Sequence, residues 1–221
     1  MSDSATVVFL DANVIAKRVT RTFLLAGGLL SGFIGVWSHA AEGEAARHMR
    51  PRATPPAVIR ERFGIPLGPT GQVGGRFGAT SMPDRQILAD AEVAGAAFLV
   101  TEDVDDFAVP DLVAAGISAV NPDLFLAERM THSAYRALVA LFVERQVAPP
   151  TTAEDFHRSI GREHPRLFAA HADLYPVAPA VAVDRPPAVV FRGTRCLRCE
   201  TKCSAAKAMT DGVCPECLGH H

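Results

Sequence analysis

The chain has 221 residues, 48% apolar and 21% charged, with a formal net charge of −2. That length can bury one ordinary core plus an appendage, and the composition excludes a disordered or membrane-spanning class. The near-neutral total does not by itself oblige a polyanionic partner, although an acidic metal site can offset basic residues placed elsewhere. All five cysteines fall in the last 26 residues, which argues against a disulfide framework through the body and fits a reducing cytosol with a local metal site.

Residues 7–10 (VVFL) are an unbroken apolar run, the pattern of a central parallel strand covered on both faces. Residues 20–30 read as a helix ending near Gly27 and Gly28, and residues 32–38 (GFIGVWS) as a second strand. The apolar stretch 23–37 follows Lys17, Arg18 and Arg21 and precedes Ser38-His39-Ala40, so it must be weighed as a secretory leader. The earlier apolar run and the acids Asp3 and Asp11 argue against that. Four glycines in so short a stretch argue against a bilayer span. A buried helix–turn–strand in a cytoplasmic protein with no membrane contact is expected.

Residues 39–50 are alanine-rich and helical, and Pro51 stops them. Residues 58–63 read as a short helix. The rest of 52–80, with GPTGQVGGRFG, reads as a flexible loop. It is not a phosphate-binding loop, because it lacks the Lys-Ser/Thr ending and follows no strand. Residues 81–95 form a well-marked helix, with Ser81 as cap, Pro83 in the first turn, and Ile87, Leu88, Ala91 and Ala94 on one stripe. Strands follow at 97–100 and 117–120, with a helix at 112–115 between them. This alternation predicts a parallel sheet between helical layers. Beyond Asn121 the pattern is helical. Tyr135, Leu138, Leu141 and Phe142 make one stripe, and Thr151-Thr152-Ala153-Glu154 reads as a capping box opening a helix that ends near Gly161. The proline-rich stretch 174–192 reads as a linker. There is no internal repeat.

Four stretches combine apolar runs with acids: VVFLDANVI, WSHAAEGEAARHM, SMPDRQILADAEVAG and FLVTEDVDDF. In an open parallel sheet, ligands sit outside the carboxyl ends of the strands. Asp11 and residues 101–103 end two such strands, Asp84 opens the helix leading into the second, and Glu44 lies in the helix after Trp37. Each has an ordinary structural use. Asp11 and Asn13 can shape a turn, Asp84 can complement a helix dipole, Glu42 and Glu44 can face solvent, and Asp103, Asp105 and Asp106 can be turn residues. Their joint placement outweighs those uses, because Asp11 and Asp103 both lie where a buried strand meets a ligand-facing loop. Hard oxygen donors of this kind suit Mg2+ or Mn2+.

The four blocks resemble the PIN-domain nucleases over about residues 5–125. An apolar strand runs into Asp11-Ala12-Asn13, and a helix follows from Ser38 to Glu44. Asp84 to Ala91 approximates the third block, and Val100-Thr101-Glu102-Asp103 precedes Phe107 in the fourth. The first and last are the specific ones. The third departs from the usual pattern by carrying Asp90, which falls on another helix face. NPDLFL, APPTTAEDF and HPRLF resemble the helical extension of some VapC-type toxins.

The resemblance implies a three-layer α/β/α nuclease domain (1–125) and a helical extension (126–175), and the prolines and cysteine spacing add a linker (176–192) and a small zinc-binding tail (193–221). It implies that Asp11, Glu44, Asp84 and Asp103 hold Mg2+ or Mn2+ and cut RNA with metal-activated water. Asn13, Thr101 and Asp105 or Asp106 would be auxiliary, and Glu44 fits the interval from Ser38 better than Glu42 does. It further implies the toxin of a type II toxin–antitoxin pair, with a cognate antitoxin as partner and a homodimer as assembly. The alternatives are a housekeeping RNA-processing nuclease with a zinc ribbon and a non-catalytic RNA- or protein-binding module. Lys17, Arg18, Arg21, Arg47, Arg50, Arg52, Arg60, Arg62, Arg76 and Arg85 are the candidate phosphate contacts.

Cys196-x2-Cys199 and Cys214-x2-Cys217, 14 residues apart, have the spacing of a tetrahedral structural Zn2+ site. Cys203 is left over, and His220 is a further candidate ligand. So short a tail would depend on the metal to fold. Arg192, Arg195, Arg198, Lys202 and Lys207 make it basic, which suits RNA docking or partner binding.

Overall fold

The structure, a computed structural model, describes residues 5–146, 148–180, 189–203 and 209–219. Five strands form one sheet in the order β2-β1-β3-β4-β5. They are β1 (Thr6–Leu10), β2 (Phe33–Val36), β3 (Phe98–Val100), β4 (Ser118–Val120) and β5 (Phe191–Arg192). The first four are parallel and β5 is antiparallel to β4. Val8 and Leu10 face one side of β1 and Phe9 the other, and all are fully buried. The unbroken apolar run is therefore a strand covered on both faces.

The helices are α1 (Ala12–Ala16), α2 (Arg18–Thr22), α3 (Gly28–Ser31), α4 (His39–His48), α5 (Pro56–Arg62), α6 (Met82–Val93) and α7 (Val109–Ala115). The C-terminal set is α8 (Pro122–Arg129), α9 (His132–Arg145), α10 (Ala153–Glu163), α11 (Pro165–Ala170) and α12 (Pro215–Leu218). α8 carries Phe125 onto the sheet, edge-on to Phe33 at 5.0 Å and tilted against Phe98 at 5.8 Å.

Several boundaries differ from the sequence reading, each for a tertiary reason. The helical run begun by α2 does not stop at Gly27 and Gly28. It passes through a π-turn (Phe23–Gly27) into α3 and ends at Gly32, in the left-handed conformation. The two glycines are there for close approach. A Cβ on Gly27 would lie 2.6 Å from the Met130 methyl, and one on Gly28 would lie 2.7 Å from the Phe33 ring. The α10 cap is Thr152, whose hydroxyl accepts from Asp155 N, so the capping box is shifted by one residue. Ser81 occupies the cap position of α6 but donates to the Asp84 carboxylate rather than capping a backbone N–H. The end of the expected linker is β5, the fifth strand of the sheet. Residues 181–188 of that linker lie outside the described residues.

The glycine-rich loop is packed rather than free. Gly68 N donates to Trp37 O at 2.8 Å, and Gly71 N donates to the buried Asp90 carboxylate at 2.7 Å. Gln86 Nε2 bridges Asp90 and Gly71 O, and Phe77 is buried. Gly71 sits so close to α6 that an added Cβ would lie 2.2 Å from Ala89 O. Gly71→Ala must push the loop off α6, and we expect it to cost about 2–3 kcal/mol. Urea unfolding checks this, with the exposed Gly74→Ala as a milder control.

No helix among the described residues is long and apolar enough to cross a membrane.

Candidate metal centres

The chain turns to opposite sides of β1 to build β2 and β3, so a crevice opens above the carboxyl ends of β1 and β3. Asp11 N donates to Val100 O and Thr101 N to Val120 O. Asp11 and Thr101 therefore stand side by side, one residue beyond the paired strands. Asp11 Oδ1 accepts from Ala12 N at 2.7 Å, and Oδ2 accepts from the Thr101 hydroxyl at 2.7 Å. Asn13 Nδ2 lies within donor distance of Asp11 Oδ2 (3.0 Å), Thr101 Oγ1 (3.1 Å) and Asp103 Oδ2 (3.0 Å). Asp103 N and Glu102 N close the network onto Thr101 Oγ1 and Asn13 Oδ1. The Asp-x-Asn and Thr-x-Asp blocks thus form one hydrogen-bonded unit across a sequence separation of about ninety residues.

Glu44, Asp84, Asp103, Asp106, Asn13 and Asp11 all line one cleft of 1570 Å³. Burial pushes the Asp11 carboxyl up to about 6. The Thr101 hydroxyl and Ala12 N–H pull it down, while Glu44 and Asp84 add to the rise. Burial also raises Asp106, with Asp84, Asp103 and Asp105 adding to it and Arg192 opposing. The acids on four elements therefore share one electrostatic environment. Asp105 does not line the cleft; its carbonyl accepts from Arg192 Nη1 at 2.7 Å. Of the two, Asp106 is the acid that lines it.

The structure separates Glu42 from Glu44. Glu42 is buried and accepts from Trp37 Nε1 and Arg60 Nε, both at 2.9 Å. It is a structural carboxylate, and Arg60 is its partner. We expect Glu42→Ala to lower stability by about 3 kcal/mol, because it strands a buried indole N–H and a guanidinium. Glu44→Ala should change thermal stability by less than about 1 kcal/mol. Thermal melts of the two variants check the assignment. Asp90, fully buried, holds the glycine loop and lies outside the cleft.

Of the basic candidates, Lys17, Arg18, Arg21, Arg50, Arg52 and Arg62 line the cleft, and Arg145, which the sequence did not single out, joins them. Arg76 pairs with Glu92 and covers the Phe77 ring, Arg85 donates to Thr80 O and Gly78 O, and Arg47 is not a lining residue.

The second cluster is made of thiols. Cys196, Cys199, Cys214 and Cys217 bring their Sγ atoms within 4.8 Å of one another, and this group could hold a metal ion such as zinc. Two tight turns shape it, with Glu200 N donating to Cys196 O and Cys217 N to Cys214 O. Cys214 N points at Cys196 Sγ at 3.3 Å. Cys203 is outside the quartet, and His220 and Lys207 lie outside the described residues. Among the described residues, this is the one group of three or more ligand atoms so close together; the carboxylates share a cleft without closing to that distance.

The knuckle does not hang free. Arg129 pairs with Glu200 and Arg198 with Glu128, both at 2.6 Å. Arg195 donates to Gly116 O, and Leu197 is fully buried in the main core. The arginines expected to face RNA or a partner are used for docking inside the molecule. Arg192 goes further, donating to Asp105 O at 2.7 Å and Phe107 O at 3.2 Å. It ties β5 to the loop that carries Asp103 and Asp106. No protein-family profile, curated protein or solved structure matches the chain.

Proposed function

We propose that the protein is a Mg2+- or Mn2+-dependent endoribonuclease of PIN type, the toxin of a type II toxin–antitoxin pair. The observation that carries this reading is the Asp11–Asn13–Thr101–Asp103 network at the switch point of the sheet, with Glu44 and Asp84 lining the same cleft. The donor set fits a hard divalent cation, since every group is a carboxylate and hydrogen bonds already orient three of the four. Bound by Asp11, Glu44, Asp84 and Asp103, such a cation would supply an acidified water and compensate charge at the leaving oxygen.

The chain's own residues do the rest. The Thr101 hydroxyl fixes the Asp11 carboxylate, and Asn13 ties Asp11 to Asp103. Burial and the neighbouring Glu44 and Asp84 raise the Asp11 carboxyl without a cation, a cost that a bound cation would relieve. The cationic wall of Lys17, Arg18, Arg50, Arg52 and Arg62 offers sites for the phosphates of the strand. The cysteine quartet would carry one structural Zn2+, closed and without a position for substrate.

Asp11→Asn and Asp103→Asn are each expected to lower Mn2+-dependent cleavage of RNA by at least about 100-fold, more than loss of an outer hydrogen-bond partner costs. If both variants cut as well as the parent, the site is wrongly assigned. The docked cysteine knuckle favours a second reading, a housekeeping RNA-processing nuclease with a zinc ribbon. Growth arrest on expression, relieved by a co-expressed antitoxin, supports the toxin; its absence in an active nuclease supports the processing enzyme.

A further inference from the structure

Among the described residues, Arg21 is a buried cation without a counter-ion. It is only 7% exposed and lines the cleft, and its Nη1 donates to Ile15 O. Arg18 and Arg145 line the same cleft from the starts and ends of neighbouring helices, α2 and α9. Among the described residues no carboxylate lies within 4.0 Å of any of the three guanidinium groups. Glu163 lines the cleft but pairs with none of them, and Glu102 is engaged by Lys17. Burial and the charge of Arg18 both disfavour the Arg21 cation. Removing a guanidinium from water without an anion to meet it is costly. Such an arrangement is retained where an anion arrives from outside.

Beside these cations the wall changes character. Arg18, Val19, Phe142 and Arg145 also line a second hollow of 480 Å³, which therefore shares a wall with the large cleft. Phe142 is half-buried, stacked on Phe156 at 4.8 Å and on Phe23 at 5.8 Å, so the part of its ring that lines the hollow is the apolar rim. Forked cations beside an aromatic and aliphatic surface suit a phosphate with a base attached.

We propose that Arg18, Arg21 and Arg145 form a phosphate-binding subsite for a single-stranded polynucleotide, at which a nucleotide flanking the scissile bond is held while its base lies against Phe142 and Val19. The flanking role rests on the nuclease reading, whereas the binding itself does not. An acidic peptide could satisfy the charge but makes no use of the aromatic and aliphatic wall beside it.

The test uses the full-length protein in chelator, so that binding is read without cleavage. Anisotropy of a labelled oligouridylate of about twelve nucleotides is followed against salt. Each lost phosphate contact lowers the slope of log K against log salt by about 0.7 for a single strand. Arg18→Ala/Arg145→Ala changes two exposed side chains and is expected to reduce the slope by about 1.4 and weaken binding at least about tenfold. Arg21→Lys keeps the charge and loses the fork, so binding should weaken a few-fold at an unchanged slope. Uridine monophosphate should compete weakly, since one phosphate replaces several.

An unchanged slope in the double variant overturns the subsite, and so does a parent protein that ignores the oligomer. Polyglutamate bound with the predicted slope loss, while RNA shows none, assigns the cations to a protein partner and overturns it as well. Slope loss in the double variant, with a parent that never cuts RNA with Mn2+, leaves the subsite standing and removes the nuclease reading.

Discussion

Asp11→Asn is expected to abolish cleavage while making the protein more stable at neutral pH. Asp11 is 8% exposed, and its carboxyl ionises near 6 in the folded chain against 3.8 in the unfolded one. Below pH 3.8 it is protonated in both states and nothing is lost. Between 3.8 and 6 the folded state loses stability as pH rises. Above 6 the loss is complete, about 3 kcal/mol for a shift of this size.

Asparagine is as good a helix cap as aspartate, so the Ala12 N–H can keep its acceptor. The Thr101 hydroxyl and Asn13 Nδ2 both donate to Asp11 Oδ2, so an amide NH2 in its place removes the acceptor of both, at about 1 kcal/mol each. The net expectation in chelator is a gain of about 1 kcal/mol at pH 7.5, or about 2–4 °C in Tm, turning into a loss near pH 4 where only the missing hydrogen bonds remain. Buried His164 and His171, both pushed down to about 4 by burial, act in the opposite direction. Their stability is present above 6.5 and is lost as pH falls toward 4. The difference between parent and variant removes them and isolates Asp11. A variant less stable than the parent at pH 7.5, with cleavage retained, would identify Asp11 as a turn residue. A stable, inactive variant identifies a carboxylate kept at a cost to folding for its chemistry.

Cys214→Ser, or stripping zinc with a strong chelator, is expected to undo the far edge of the sheet. Cys214 is 3% exposed and belongs to the quartet. A structural zinc in such a quartet would contribute about 10–16 kcal/mol to folding, so its removal would leave the knuckle's turns to the docking contacts alone. Its loss releases the Arg129–Glu200 and Arg198–Glu128 pairs, exposes Leu197 and frees β5 from β4.

We expect the remaining domain to lose about 3 kcal/mol or more, from burial and pairing together. Hydrogen exchange should quicken at least about 100-fold at Asn121, whose N–H is held by Val190 O. It should also quicken in the 104–107 loop, which Arg192 would no longer clamp. Cys203→Ser, outside the quartet, should keep one zinc per chain by metal analysis and leave both exchange rates unchanged. Equal effects of the two cysteine variants would show that the quartet is wrongly drawn.

Much of this architecture was legible in the sequence. The apolar run at β1, the stripe of α6 and the alternation of strands with helices specify a parallel α/β sheet through local periodicity. The Cys-x2-Cys pairs specify the thiol cluster because each ligand pair sits within one turn. The placement of Asp11 and Asp103 beyond strand ends pointed to one rim, since parallel strands all present their carboxyl ends there. Periodicity could not tell Glu42 from Glu44 two residues away. What separates them is the Trp37 indole and Arg60, which reach Glu42 from elsewhere in the chain.

Gly27 and Gly28 looked like a helix end because a glycine's freedom is a local signal, whereas the crowding by Met130 and Phe33 that requires them is not. The basic tail looked like a docking surface until its arginines met Glu128, Gly116 and the Asp105 carbonyl. Arg145 carried no motif at all, and only the packing of α9 beside α2 sets it among the cations of the cleft. Spacing along the chain determined which elements form and which thiols meet. Contacts between residues far apart in sequence decided which charges are buried, which are paired, and which are left facing the cleft.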